Sequence, residues 1–191
     1  MRKIAFVAVA MLWFAGLAGA QAPTSGNIYF GYSFENTNWS GLNSSLGRPN
    51  LHGWEGSLEG KIFPHLGIVT DFSQHFGSQS FTELTPAGGG PTTVTVTGHG
   101  FEIMFGPRLS IPIGNITPFA EAMFGVAHIT NGQTSLPSTS NTSFATALGG
   151  GLDIKIIRPI AWRVEGDYLQ TRFYSTTQNA LRLSTGVVLR F

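Results

Sequence analysis

Past its first twenty residues the chain alternates apolar and polar side chains with period two, and no helical period of useful length interrupts the pattern. Eight runs carry it, at 27–35, 51–62, 66–76, 96–110, 116–129, 143–155, 160–173 and 179–191. Period two is the signature of a strand whose two faces meet different surroundings. In the first run Ile28, Phe30, Tyr32 and Phe34 oppose Tyr29, Gly31, Ser33 and Glu35; in the last, Leu181, Leu183, Val187, Leu189 and Phe191 oppose Arg182, Ser184, Gly186 and Arg190.

The gaps between runs alternate in length. Longer polar stretches follow runs one, three, five and seven, whereas short turns built on Pro or Gly (FPHL, IPIGN, IIRP) follow runs two, four and six. An even number of runs joined in this way predicts an all-β, eight-stranded antiparallel up-and-down β-barrel with both termini at the tight-turn end. Run four carries an irregularity, because Val94 and Val96 are out of phase with Phe101, Ile103 and Phe105. A β-bulge at Gly98–Gly100 is expected to restore the phase.

Alternation alone does not say which face meets solvent, and a soluble lipocalin-like barrel would alternate too. The charges decide between them. Of the 19 Lys, Arg, Asp and Glu after residue 20, 15 fall on the polar strand face, nine acidic and six basic; Arg48, Glu83, Arg158 and Arg172 are left for loops, turns and rims. A soluble barrel places its charges freely in its wet loops. Here the ions belong inside a narrow bore and the apolar face meets lipid, so the barrel is expected to be transmembrane. Most runs reach the ~9–11 residues that a membrane-crossing strand needs. An Arg on the lipid face at mid-depth would cost about 2–4 kcal/mol.

Arg2 and Lys3 precede an apolar stretch that ends in Ala18, Gly19 and Ala20, which reads as a secretory signal (1–20) cleaved before a barrel domain (21–191). A retained anchor is the alternative, but the apolar core is short for a spanning helix. Without Arg2 and Lys3 the chain has nine basic against ten acidic residues, which gives nucleic acid nothing to bind. Cysteine is absent, so neither disulfides nor thiolate chemistry enters. No sequence pattern calls for a cofactor.

The opening strand NIYFGYSF, the alternating strands with long and short gaps, and the closing strand LRLSTGVVLRF together resemble the small eight-stranded bacterial outer-membrane barrels, the family of the outer-membrane protein A barrel domain and outer-membrane protein X. That resemblance implies residence in the bacterial outer membrane and contact with its lipids. During biogenesis it implies periplasmic chaperones and the barrel-assembly machinery, which would read the alternating residues Val187 and Leu189 and the terminal aromatic Phe191. Cell-wall tethering is not expected from it, because the resemblance covers the barrel alone and no peptidoglycan-binding domain is expected after Phe191.

Eight strands enclose a bore that side chains can fill. An interior charge network is therefore expected from Glu55, Glu59, Lys61, Glu102, Arg108, Arg163, Glu165, Asp167, Arg182 and Arg190. Packing is its expected role, and a narrow ion or solute pore is the alternative. His128-Ile129-Thr130-Asn131 is similar to the His-x-Ser-Asn motif of the outer-membrane lipid A deacylases, in which His activates a Ser nucleophile. Thr130 replaces that Ser, and no acidic residue lies between Asn131 and Asp153, so no catalytic residue and no enzyme activity are expected. His52, His65, His75 and His99 show no ligand spacing, although His75 and His99 could meet at the outer rim; no metal site is expected. The chain thus reads as a structural or surface-interaction protein, with outer loops rich in Ser, Thr, Asn and Gly available to an extracellular ligand.

Overall fold

Strands form because each run offers one face to a wet, polar bore and the other to an apolar medium. The computed structural model describes residues 25–37, 50–83, 92–133, 136–173 and 176–191. They form eight strands: β1 (Gly26–Thr37), β2 (Asn50–Lys61), β3 (Leu66–Glu83), β4 (Thr92–Ser110), β5 (Ile116–Gln133), β6 (Leu136–Ile157), β7 (Ile160–Thr171) and β8 (Gln178–Arg190). Each pairs antiparallel with the next, and β8 returns to β1, closing the barrel. Closure leaves no unpaired sheet edge, which is the condition for strands to lie in hydrocarbon.

The closing seam is complete to the last residue. Phe191 donates its backbone N–H to the Gly26 carbonyl at 3.1 Å and accepts from Gly26 N–H at 2.9 Å. Following the pairing around the wall from Glu35 to Arg182, Asp167, Gly149, Glu121, Arg108, Gly67 and Lys61 ends at Ser25. One circuit therefore descends from residue 35 to residue 25 of the same chain segment, a shear that requires strongly tilted strands.

Burial separates the faces as the alternation requires. Ile28, Phe30, Leu58, Phe105, Leu148 and Val164 stand exposed on the outer wall, and more than thirty large apolar side chains are exposed among the described residues, most of them on that wall. Water would not tolerate so continuous an apolar surface, and a bilayer matches it. At the tight-turn end the chain reverses through 62–65, 111–115 and 158–159. Gly114 sits there at φ +63°, a left-handed conformation that favours glycine.

The structure departs from the alternation at the other end. Pairing between β3 and β4 runs unbroken from Leu66↔Leu109 to Glu83↔Thr92, so there is no bulge at Gly98–Gly100. The register shifts instead between Asn131 and Gln133, and at the tight-turn end between Lys155 and Ile157. Most of the expected long gaps after runs three and five is also strand, since β3 extends to Glu83 and β5 and β6 to Gln133 and Leu136. One physical reason covers both differences. Beyond the bilayer a strand can be wet on both faces, so nothing there enforces alternation. Residues 1–24, including the expected signal, and residues 38–49, including most of the first long gap, lie outside the described residues.

Candidate functional site

All ten residues of the expected network lie on the inner wall. Glu55, Glu59, Glu102, Arg108, Arg163, Glu165, Asp167 and Arg182 are buried, while Lys61 and Arg190 are half-buried toward the tight-turn end. Asp71, Glu121 and Asp153 join them as direct partners of the arginines, and Glu35 is buried on the same wall. Lys155 shares their parity but is exposed, because the barrel ends at that level.

Three arginines organise the interior. Arg182 reaches Asp71 and Asp167 at 2.8 Å each, with Glu55 at 3.4 Å and Glu102 at 3.7 Å, so it ties together β2, β3, β4 and β7. Arg108 bonds Glu121 through Nε and approaches Glu59 at 3.5 Å and Glu165 at 3.7 Å. Arg163 grips Asp153 with two parallel bonds of 2.7 and 3.0 Å, the fork geometry that a guanidinium is built for. Arg163 also lies over the rings of Tyr29 and Phe119 at 5.0 and 4.6 Å, contacts suited to a desolvated cation. Two of these pairs, Arg182–Asp167 and Arg108–Glu121, are direct cross-strand neighbours on the single sheared row traced above. Strand register, rather than loop placement, is what brings these charges together.

The interior is not uniformly ionic. Val69, Met104, Met123, Ala145, Ala147 and Leu169 form an apolar cluster beside the charges. A cavity of about 250 Å³ opens at the tight-turn end, lined in part by Lys61, Arg108, Arg163 and Arg190. A cavity of about 20 Å³ sits toward the outer end against Glu35, His75 and Glu102. Arg182, Tyr29, Met104, Glu55 and Asp71, each under 2 % exposed, fill the bore.

The histidines fall differently from the sequence expectation. His75 is buried inside, pairs in register with Gly100, and shares a compact cluster with Glu35 and Glu102; sequence spacing held no sign of it, because the three residues come from β1, β3 and β4. His99 is exposed, opposite Phe76, so the two histidines do not meet. His128 is exposed on the outer wall, its Nδ1 is 2.7 Å from Thr142 Oγ1, and its Nε2 is 3.4 Å from Thr130 Oγ1. The i, i+2 placement is the one expected, but the group beside Nδ1 is an alcohol and not a carboxylate.

A closed antiparallel barrel with an apolar exterior and an ion-paired interior defines a membrane-spanning β-barrel. The chain belongs to the outer membrane protein beta-barrel domain family, whose model matches residues 6–191, and it is therefore a protein of the bacterial outer membrane. Solved structures agree on the fold. The attachment invasion locus protein Ail of Yersinia pestis is 15 % identical over 87 % of this chain and 98 % of its own, with a TM-score of 0.60. Neisserial surface protein A is 13 % identical over 87 % of this chain and 97 % of its own (TM-score 0.59). The N-terminal barrel domain of Pseudomonas aeruginosa OprF is 12 % identical over 90 % of this chain and all of its own (TM-score 0.50). Ail has also been solved with the heparin analogue sucrose octasulfate (16 % identical over 87 % of this chain and 98 % of Ail, TM-score 0.58). A search of curated proteins returns no match.

Proposed function

We propose that this barrel is a non-catalytic surface protein whose filled interior makes it a rigid mount for a polar, weakly charged outer rim. The observation that carries this reading is the Arg182 centre, where one buried guanidinium holds carboxylates from four strands across the bore. Side chains locked in this way suit a wall better than a path for solutes. Reconstitution into planar bilayers is expected to give no steady porin-sized conductance; a stable open level of that size overturns the reading in favour of a pore.

Exposed Thr97, Ser138, Ser140 and Thr142 place hydroxyls on the outer rim, the long gaps of the sequence contribute only Arg48 and Glu83 as charges, and Arg172 is exposed just past β7. The complex of Ail with a heparin analogue supports a ligand-binding role for a barrel of this fold, which we assign to this end. For this chain the chemistry favours an uncharged, hydrogen-bonding ligand over a polyanion. Against catalysis stands the Thr142 hydroxyl at His128, which cannot balance the imidazolium that a deacylation step would create. Lipid A from cells that express the barrel is expected to keep all its acyl chains by mass spectrometry. Loss of a chain that depends on His128 would establish the enzyme.

Delivery to the membrane is read as export through a signal cleaved after Ala20, followed by chaperone escort and insertion by the barrel-assembly machinery. The apolar stretch ahead of Ala18-Gly19-Ala20 and the pairing of Phe191 with β1 support it.

A further inference from the structure

We propose that Glu35, His75 and Glu102 form a binding site for a divalent cation of the zinc class in the outer half of the barrel. One ligand atom from each of these buried residues lies within 4.8 Å of the others. The donors come from β1, β3 and β4, so the barrel wall, and not a flexible loop, holds them apart.

The hydrogen bonds around His75 set its tautomer. Arg182 Nε lies 3.4 Å from Glu55 Oε2, and with that carboxylate ionised the oxygen can only accept. Ser184 Oγ donates its one hydrogen to that oxygen. Ser33 Oγ, 2.9 Å from Ser184 Oγ, must then donate to Ser184, and so accepts from His75 Nε2–H at 2.9 Å. Nδ1 is left with its lone pair, aimed at Glu35 Oε2 only 3.3 Å away.

Two lone pairs facing each other in a buried site repel unless a proton or a metal ion lies between them, and a metal ion can engage Glu102 as well. The 3.3 Å separation is about the edge of a tetrahedron with metal–ligand bonds of ~2.0–2.1 Å. Glu102 supplies the third donor. A nitrogen donor with two carboxylates suits zinc-like cations better than calcium or magnesium, which prefer oxygen alone. The cavity of about 20 Å³ against these three residues has room for about one water, the usual fourth ligand of an open zinc site. The second partner of the imidazole is also in place, since Ser33 holds the ring through Nε2 as second partners of metal-bound histidines do.

The charge balance points the same way. Nine carboxylates are buried among the described residues against three arginines, with Lys61 and Arg190 only half-buried. A proton on Nδ1 would offset Glu35 alone, and Arg182, 3.7 Å from Glu102 and shared with three other carboxylates, offsets Glu102 only in part. A divalent cation offsets both.

The test is calorimetric titration of zinc chloride into the refolded full barrel in detergent micelles, each variant first shown to be folded by heat-dependent migration on a gel. The expected result is one saturable site per chain, weakened at least tenfold in His75→Gln and in Glu35→Gln and unchanged in His99→Ala. In the metal-free barrel, nitrogen NMR of His75 is expected to show Nε2 protonated and Nδ1 bare, with the Nδ1 signal moving on addition of zinc. The proposal is overturned by the absence of saturable binding, by affinity that survives His75→Gln, by affinity lost in His99→Ala, or by a proton on Nδ1 that zinc does not displace.

Discussion

Arg182 has the most partners of any interior residue, and the consequences of removing it follow from that geometry. Arg182→Met leaves Glu55, Asp71, Glu102 and Asp167 buried with their shared cation gone. Breaking a buried ion pair by deleting one partner costs about 3–5 kcal/mol. The midpoint for urea unfolding in micelles is expected to fall accordingly, and adding Asp167→Asn to recover part of the loss, as a double-mutant cycle would register. Gly149 is the second residue whose identity the interior dictates. It stands on the same sheared row beside Asp167, and a Cβ there would strike Asp167 Oδ1 and the Gly166 carbonyl. Gly149→Ala therefore pushes Asp167 off Arg182, with an expected loss of about 1–3 kcal/mol in the same assay.

At the level of strands, the limits of the sequence reading have a physical boundary. Within the bilayer each residue is forced to one of two media, so runs one, two and eight match β1, β2 and β8 to within two residues at either end. Beyond the bilayer that constraint lapses, which is why the strand lengths after Phe76 and Ile129 were not legible and why the phase change near His99 needed no bulge. The interior charges were legible one by one, because their parity is visible in the sequence. Their partners were not. Arg182 meets Asp71 from 111 residues away, and only the register around the whole wall brings them together. The Glu35, His75 and Glu102 cluster was hidden for the same reason. Strand β8 also carries a prediction of its own. Phe191 keeps its ring exposed while its backbone closes the seam on Gly26, so the ring is free to be read before the barrel closes. Phe191→Ala is expected to lower the amount of barrel recovered from outer membranes several-fold, while the refolded variant keeps its urea midpoint to within about 0.5 kcal/mol of the parent.

For the molecule as a whole, the distribution of charge decides what the exterior can attract. Ions are concentrated inside the wall, where they pair within 3.7 Å, while the gaps of the sequence that lead to the outer end carry one arginine and one glutamate, with Arg172 exposed just past β7. Exposed charges act over about one Debye length, ~8 Å at physiological ionic strength, and a rim with so few of them projects almost no field. The barrel in lipid nanodiscs is therefore expected to bind labelled heparin no better than empty nanodiscs, at low and at physiological salt alike. The outer face of β6 provides the converse test, because Ser138, Ser140 and Thr142 are all exposed on it. Replacing the three with lysine should create heparin binding that weakens steeply as salt rises, without changing the heat-dependent gel migration that reports the folded barrel. Strong, salt-sensitive heparin binding by the parent barrel would mean that its outer end carries a basic surface, and would remove the case for a neutral ligand.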